Sequence, residues 1–531
     1  MKKTMRQHSF TARLKSLAVV FGIAMAFASC ANEDVAQTPT SPNDDNDKNL
    51  TTFVAGDETK TRTSMDYNSG DFYWEAGDYI YVKDDDGTWQ KSTNAPTSKV
   101  AAFKYKVPGK FTASTSYKVY YLGKNSSGNA VTISSTQQQT SPDNTEHFGT
   151  SGDYGSATAN KVTGKQQFKF TLEHQPAYLV FQPYTSNTVL QNCYLRKIEV
   201  TSDNDIAETY TINPSTDNLD ASAGGKQIVL TTGGWSSSSN PHGFPLTNSS
   251  ASRTTNGAYM IIKPGSHILR VRYWVKDIVT NVEGTITKLL PSTNYVSNTY
   301  YDVTANLNTR AYDGNHYYMW DAQEQYWKGY EWTKHLPGNT GQPTVNGGSS
   351  PNYPQSNTDP RYWNEGHGSP FNATHSCATL PNANEMSWYC MYGDPRWDKD
   401  ELWTTMGHLY KGGMWFKKKS VLQAEHHYDT EKSADNTTDM RTTYKIYDNS
   451  NSSINNSGLL SAADANNYFY LPALGYYADG QLLNFPYEGL YWSSSSDWLG
   501  STSTYILAFS NGGVHVTLGH RNIGQWVGTF K

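Results

Sequence analysis

Apolar and polar residues alternate over short runs through most of this chain. Tyr79-Ile80-Tyr81-Val82, Tyr117 to Leu122, Phe168 to Leu172 and Ile268 to Val275 each show the period-two pattern of a strand with one buried face. Clusters of Gly, Asn and Ser punctuate the runs and predict turns. No segment sustains a helical period beyond a few turns, so the expected class is mainly β, built of sandwiches. One short helix stands out. In LPNANEM, Asn382 and Glu385 have the spacing of an N-cap and its partner, and Met386, Trp388 and Tyr389 follow.

The N-terminus breaks the alternation. Lys2, Lys3, Arg6, Arg13 and Lys15 precede an apolar run from Leu17 to Ala28, which is signal-peptide length and too short to span a membrane. The run ends Phe27-Ala28-Ser29-Cys30, which resembles a bacterial lipobox. The resemblance implies that residues 1–29 are removed and that Cys30 is acylated, tethering the protein to an outer membrane. An ordinary cleaved signal with an incidental cysteine is the other reading. Glu33 and Asp34 resemble the acidic surface-export signal of Bacteroides-type lipoproteins. Residues 30–50 hold almost nothing apolar and are expected to be a solvated tether.

Composition narrows the classes. The chain has 531 residues, room for three or four domains. A net charge of −5 and the lack of a basic face exclude a nucleic-acid partner. Four cysteines are too few for a disulfide scaffold and lack metal-ligand spacing.

Six ordered segments between 51 and 310 resemble the fimbrillin-like pilins of Bacteroidetes. TKTRTSMDYNSGDFYWEAGDYIYV (59–82), QTSPDNTEHFGTSGDYGSATA (139–159) and FKFTLEHQPAYLVFQ (168–182) match the first half. LRKIEVTSDNDIAETYTIN (195–213), AYMIIKPGSHILRVRYWV (258–275) and YVSNTYYDVTANLNT (295–309) match the second. The resemblance implies two tandem transthyretin-like β-sandwiches, 51–186 and 187–310, with the boundary near Pro183–Leu190. It also implies assembly with other pilin subunits by β-strand addition. In pilus-forming members a protease cuts after a basic residue, freeing a first strand and opening a groove. Arg62 or Lys60 either marks such a cut or simply begins the first domain. His174 has no acid or nucleophile motif beside it and is expected to be a buried structural histidine.

Tryptophan becomes dense after Arg310, and 337–360 is rich in Gly, Pro, Ser and Asn. Residues 311–360 are expected to connect a further domain at 361–531. There the ordered set C-x-x-LPNANE, FYLPALGY, GLYWSSS, YILAF and R-x-x-G-x-x-V resembles the Fibrobacter major-paralogue-type domain. That resemblance implies an α+β, C-type-lectin-like fold. Leu471-Pro472-Ala473 and Trp492-Ser493-Ser494 then belong to its framework. Asp497 and Trp498, in SSSSDWLGSTST, offer aromatic and polar groups suited to a sugar ring, or fold back onto the domain. Cys377 and Cys390 bracket the expected helix; either they form a disulfide or the helix holds the sulfurs apart. Cys193 is expected to be a buried thiol.

His426-His427-Tyr428-Asp429 is expected to be a surface loop, since adjacent histidines diverge. Asp394, Asp398, Asp400 and Glu401, around Trp397, suit calcium in type but lack a calcium-loop spacing. They are expected to form a solvated acidic loop, with no metal and no cofactor. Formylglycine-forming relatives of the lectin-like fold use a C-terminal cysteine pair, and no cysteine follows Cys390. The expected protein is therefore not an enzyme. It is a surface-exposed lipoprotein pilin, a pilus tip subunit with an adhesive head for a glycan or host protein, because a whole domain stands where a donor strand would follow. The alternative is a surface lipoprotein that binds such ligands without polymerising.

Overall fold

A computed structural model describes residues 7–9, 49–56, 64–67 and 71–530, apart from 125, 127–128, 214, 236–238, 313–314, 331–348, 367–370, 406, 451–453, 455–459 and 498–501. Cys30, Lys60, Arg62 and Trp498 lie outside the described residues. The chain is mainly β, as its alternation predicts. No helix among the described residues is long and apolar enough to cross a membrane.

An eight-stranded sheet forms the first unit. The strand Leu50–Ala55 lies inside it, parallel to Gln167–Phe170 and antiparallel to Phe103–Pro108. Thr51, Phe53 and Ala55 face inward while Leu50, Thr52 and Val54 are half-buried. Phe53 is fully buried, its ring stacked on Phe168 at 5.1 Å and edge-on to Phe111 at 5.1 Å. The sheet curls until its ends meet. Thr93 N–H donates to the Lys106 carbonyl at 2.8 Å, and the Asn94 side chain accepts from Lys106 N–H at 2.7 Å. The result is a nearly closed barrel around Phe53, Trp74, Tyr105 and Val119.

The second unit starts earlier than the sequence suggests. Ala177–Tyr184 pairs with Thr299–Asn306 and Ala258–Ile262, not with the first sheet, so the changeover falls before Pro183–Leu190. Five consecutive buried residues, Ala177 to Phe181, explain it: a strand apolar on both faces belongs in the middle of the molecule. Thr136–Gln138, from the first half of the chain, also joins Gln227–Thr231 of the second. The two halves therefore share one core. His174 is buried within it as expected, 2.9 Å from Asp153 and stacked on Phe72 at 4.0 Å.

His147 lies where the halves meet. Its Nε2 is 3.0 Å from the Tyr259 carbonyl oxygen. Burial pushes this imidazole down from 6.5 to about 4. As pH falls, the unfolded chain takes up the proton first, so stability present above pH 6.5 is lost between 6.5 and 4. His147→Gln is expected to flatten that part of the stability curve in urea unfolding. An unchanged slope would contradict the assignment.

A third set of elements, beyond Arg310, has its own cores. A six-stranded sheet, including Glu488–Ser496, Ser503–Ser510 and Gly513–His520, packs with the helix Ala383–Tyr392. That helix begins as the sequence predicts. Asn382 Oδ1 accepts from Glu385 N–H at 2.9 Å, and Glu385 Oε2 accepts from Asn382 N–H at 2.7 Å. Leu471, Ala473, Trp492 and Ser493 are buried in the framework.

Cys377 and Cys390 do not form the disulfide that the sequence left open. They are buried free thiols facing different cores. Cys377 Sγ accepts from Asp321 N–H at 3.3 Å, while Cys390 Sγ donates to the Val514 carbonyl at 3.3 Å, from within the helix. Cys193 is a buried free thiol as well.

The acidic residues near Trp397 are also unlike the expected solvated loop. Arg396–Thr405 is a strand, joined to Glu283–Tyr295 through the pair Thr285 and Glu401. Asp398 accepts from Arg272 Nη2 at 2.9 and 3.1 Å, and from Trp415 Nε1 at 3.2 Å. Glu401 accepts from Thr285 Oγ1 at 3.0 Å and from Thr287 N–H at 3.0 Å. These carboxylates bind the head to the second unit because the alternation in Ile268 to Val275 turns Arg270, Arg272 and Trp274 outward, onto the face the head covers.

Candidate functional site

A polar and aromatic cleft of about 380 Å³ opens among the elements beyond Arg310. Tyr362, Trp363, Asn364 and Glu365 form one wall, and Thr374 and His375 form part of another. These residues come from loops, so their positions depend on what anchors them.

Asp321 is the principal anchor. It is fully buried, with φ of 51° in the left-handed region that Asp tolerates better than most residues. Its carboxylate accepts from the backbone N–H groups of Thr374 (2.7 Å), His375 (2.7 Å) and Cys377 (3.1 Å), and from Asn364 Nδ2 (2.7 Å). One carboxylate thus joins both walls. Charge-assisted bonds of this type are short and strong.

Arg521 holds the same wall from below. Its Nη1 donates to the carbonyls of Asn364 (3.2 Å) and Glu365 (3.0 Å), and Nε donates to Ser503 (2.9 Å). The guanidinium lies 4.5 Å from the Trp320 ring. Burial pushes Arg521 down to about 10, so it stays cationic at neutral pH. Arg361 braces the loop upstream through Asp359 and the Asn352 carbonyl.

The wall that results is a stacked Tyr362–Trp363 pair flanked by amide, carboxylate, hydroxyl and imidazole groups. Asn357 Nδ2 donates to Glu365 Oε2 at 3.1 Å, fixing that carboxylate at the rim. Apolar ring faces beside convergent donors and acceptors match the two faces of a sugar, and about 380 Å³ is within the range of small-ligand sites. Among the described residues no group of three or more His, Cys, Asp or Glu could hold a metal.

Asp497, singled out from the sequence, is not in the cleft wall. Its charge acts on Tyr505 and Arg521, and its N–H donates to the Ser503 carbonyl at 3.3 Å. His427 stacks on Tyr392 at 4.1 Å, and Tyr428 bonds Glu385, so these two side chains pack on the helix while His426 is exposed. Sequence reasoning missed Asp321, Trp363 and His375. The available signal was the aromatic pair in NTDPRYWNEG (357–366), polar on both sides and set after a proline.

No family model matches the chain, and no curated protein does. Solved structures similar to it include a Bacteroides ovatus protein assigned to cell adhesion, at 14% identity and TM-score 0.28, covering 48% of this chain and 93% of that one. The fimbrial anchor protein Mfa2 of Porphyromonas gingivalis has 13% identity and TM-score 0.22, covering 46% of this chain and 83% of that one. A fimbrial protein of Bacteroides ovatus has 11% identity and TM-score 0.23, covering 90% of this chain and 99% of that one.

Proposed function

We propose that this chain is a surface subunit of a fimbrial assembly that accepts a strand from a neighbour and presents a glycan-binding head. The placement of Leu50–Ala55 carries the proposal. It is an interior strand that precedes Arg62, so a cut there would separate it covalently from the sheet it completes. Its departure would leave a slot with unpaired backbone on both sides and a hole where Phe53 had been.

Among the described residues, no unpaired strand follows the fimbrillin-like portion. Thr299–Asn306 is fixed beside Ala177–Tyr184, and the chain then enters the head, where Tyr312 N–H donates to Thr404 at 2.8 Å. A subunit that receives a strand but has none to give terminates a filament. Lipidation at Cys30 would hold the protein at the membrane before that step.

In the head, the Tyr362–Trp363 wall is the proposed sugar platform. Trp363→Ala is expected to weaken binding to any glycan the protein captures by tenfold or more, about 1.4 kcal/mol. The check is a glycan array probed with the full chain and its Trp363→Ala variant, after far- and near-ultraviolet circular dichroism shows both folded. Equal signals from the two proteins would rule out this wall as the platform.

A further inference from the structure

The junction between the second unit and the head holds a half-open cavity of about 70 Å³. Arg270, Arg272, Thr287, Asp398 and Trp415 line it, with Leu289, Leu460 and Ala465 supplying an apolar wall. Arg270 is 7% exposed and Arg272 3% exposed. Arg272 spends Nη2 on Asp398 and Thr285. Arg270 has one long contact, from Nη2 to Thr201 Oγ1 at 3.4 Å. Among the described residues, Nε and Nη1 of Arg270 and Nε of Arg272 have no acceptor.

Glu199, Asp398 and Glu401 act on Arg270 only through space, and none accepts a hydrogen bond from it among the described residues. Asp398 is engaged by Arg272 and Trp415, and Glu401 by the two threonines. Glu199 faces Arg272 across the strand pair and makes no ion pair with either arginine among the described residues. Burial and the Asp398 charge push Glu401 up, which reduces the negative charge it supplies, and burial pushes Arg270 down. An unpaired guanidinium against leucine and tryptophan is costly, and water, although it can accept the hydrogen bonds, does not neutralise the charge.

We propose that this cavity is a binding site for one small oxyanion, held by Nε and Nη1 of Arg270 and Nε of Arg272, and that the ion fastens the head to the second unit. Its volume is about twice the share of one liquid water, room for a phosphate, sulfate or small carboxylate. A planar guanidinium edge suits such oxygens, which accept two parallel hydrogen bonds.

The test uses the full chain in an anion-poor zwitterionic buffer, titrated separately with phosphate, sulfate and acetate at constant ionic strength. The unfolding midpoint is expected to rise with at least one of them and to saturate, as specific binding requires. Arg270→Met should abolish that rise while leaving the midpoint in anion-poor buffer unchanged or higher, because it removes the unpaired charge. Arg196→Met, at a half-buried arginine on the neighbouring strand whose Nη1 already donates to the Pro241 carbonyl at 3.1 Å, should keep the full rise. Which anion acts identifies the source. A midpoint indifferent to all three would overturn the proposal. So would an equal rise in wild type and Arg270→Met, since that is the general salting effect of excluded ions.

Discussion

A protein carrying a specific protease site in place of residues 60–63, once cut and stripped of its N-terminal fragment, should lose several kcal/mol of stability. It should regain that loss when given a peptide containing Leu50–Ala55. The size follows from what the strand contributes. Phe53 alone is fully buried between Phe168 and Phe111, and truncating such a side chain costs about 3–5 kcal/mol. The ladder adds to this: six residues pair with Phe103–Pro108 and four with Gln167–Phe170. Without the strand, those neighbours keep exposed backbone and an apolar slot. The same peptide with Phe53→Asp should not rescue, because a carboxylate would have to enter the space between two aromatic rings. Chemical denaturation of the cut protein, with and without each peptide, reads both effects. Rescue by the aspartate peptide as good as by the native one, or no loss on stripping, would show that the strand is not the exchangeable element.

Asp321→Ala should be the most damaging single change in the head. It removes a carboxylate that accepts four hydrogen bonds and leaves three backbone N–H groups without their acceptor. It also places an alanine at a φ of 51°, which a β-carbon with no polar side chain disfavours. Thr374 and His375 are exposed enough for water to compensate part of the loss, so the expected cost is about 3–5 kcal/mol, the sum of donors left without an acceptor at about 1–3 kcal/mol each. Both cleft walls should loosen, and glycan capture should fall at least as far as with Trp363→Ala. Asp321→Asn should lie between, since it keeps the shape but turns an NH2 group toward N–H donors. An Asp321→Ala protein within about 1 kcal/mol of wild type would remove Asp321 from its role.

The strands were legible because alternation is local. Leu269, Val271, Tyr273 and Val275 are all buried, as their spacing implies. The helix start at Asn382 was equally legible, since both capping partners lie within one turn. The junction was not. Arg270 and Arg272 occupy the polar phase of one strand and Asp398 and Glu401 the polar phase of another, so each set looks solvent-facing alone. Only the approach of segments more than 110 residues apart shows that they pair. The cleft was hidden for the same reason. Asp321, Asn364, His375 and Arg521 meet from separate loops, and the spacing between them carries no recurrent pattern. Trp498 drew notice as an isolated aromatic in a polar loop, whereas Trp363 stood among many tryptophans and did not.

In the proposed role this subunit ends a filament. Immunogold electron microscopy of cells expressing the chain, with an antibody raised against the head, tests it most directly. Gold is expected at the free ends of surface filaments, with loss of that labelling when Arg62 and Lys60 are both replaced by alanine. Gold spaced along the shafts, or confined to the cell surface with every filament end bare, would contradict it.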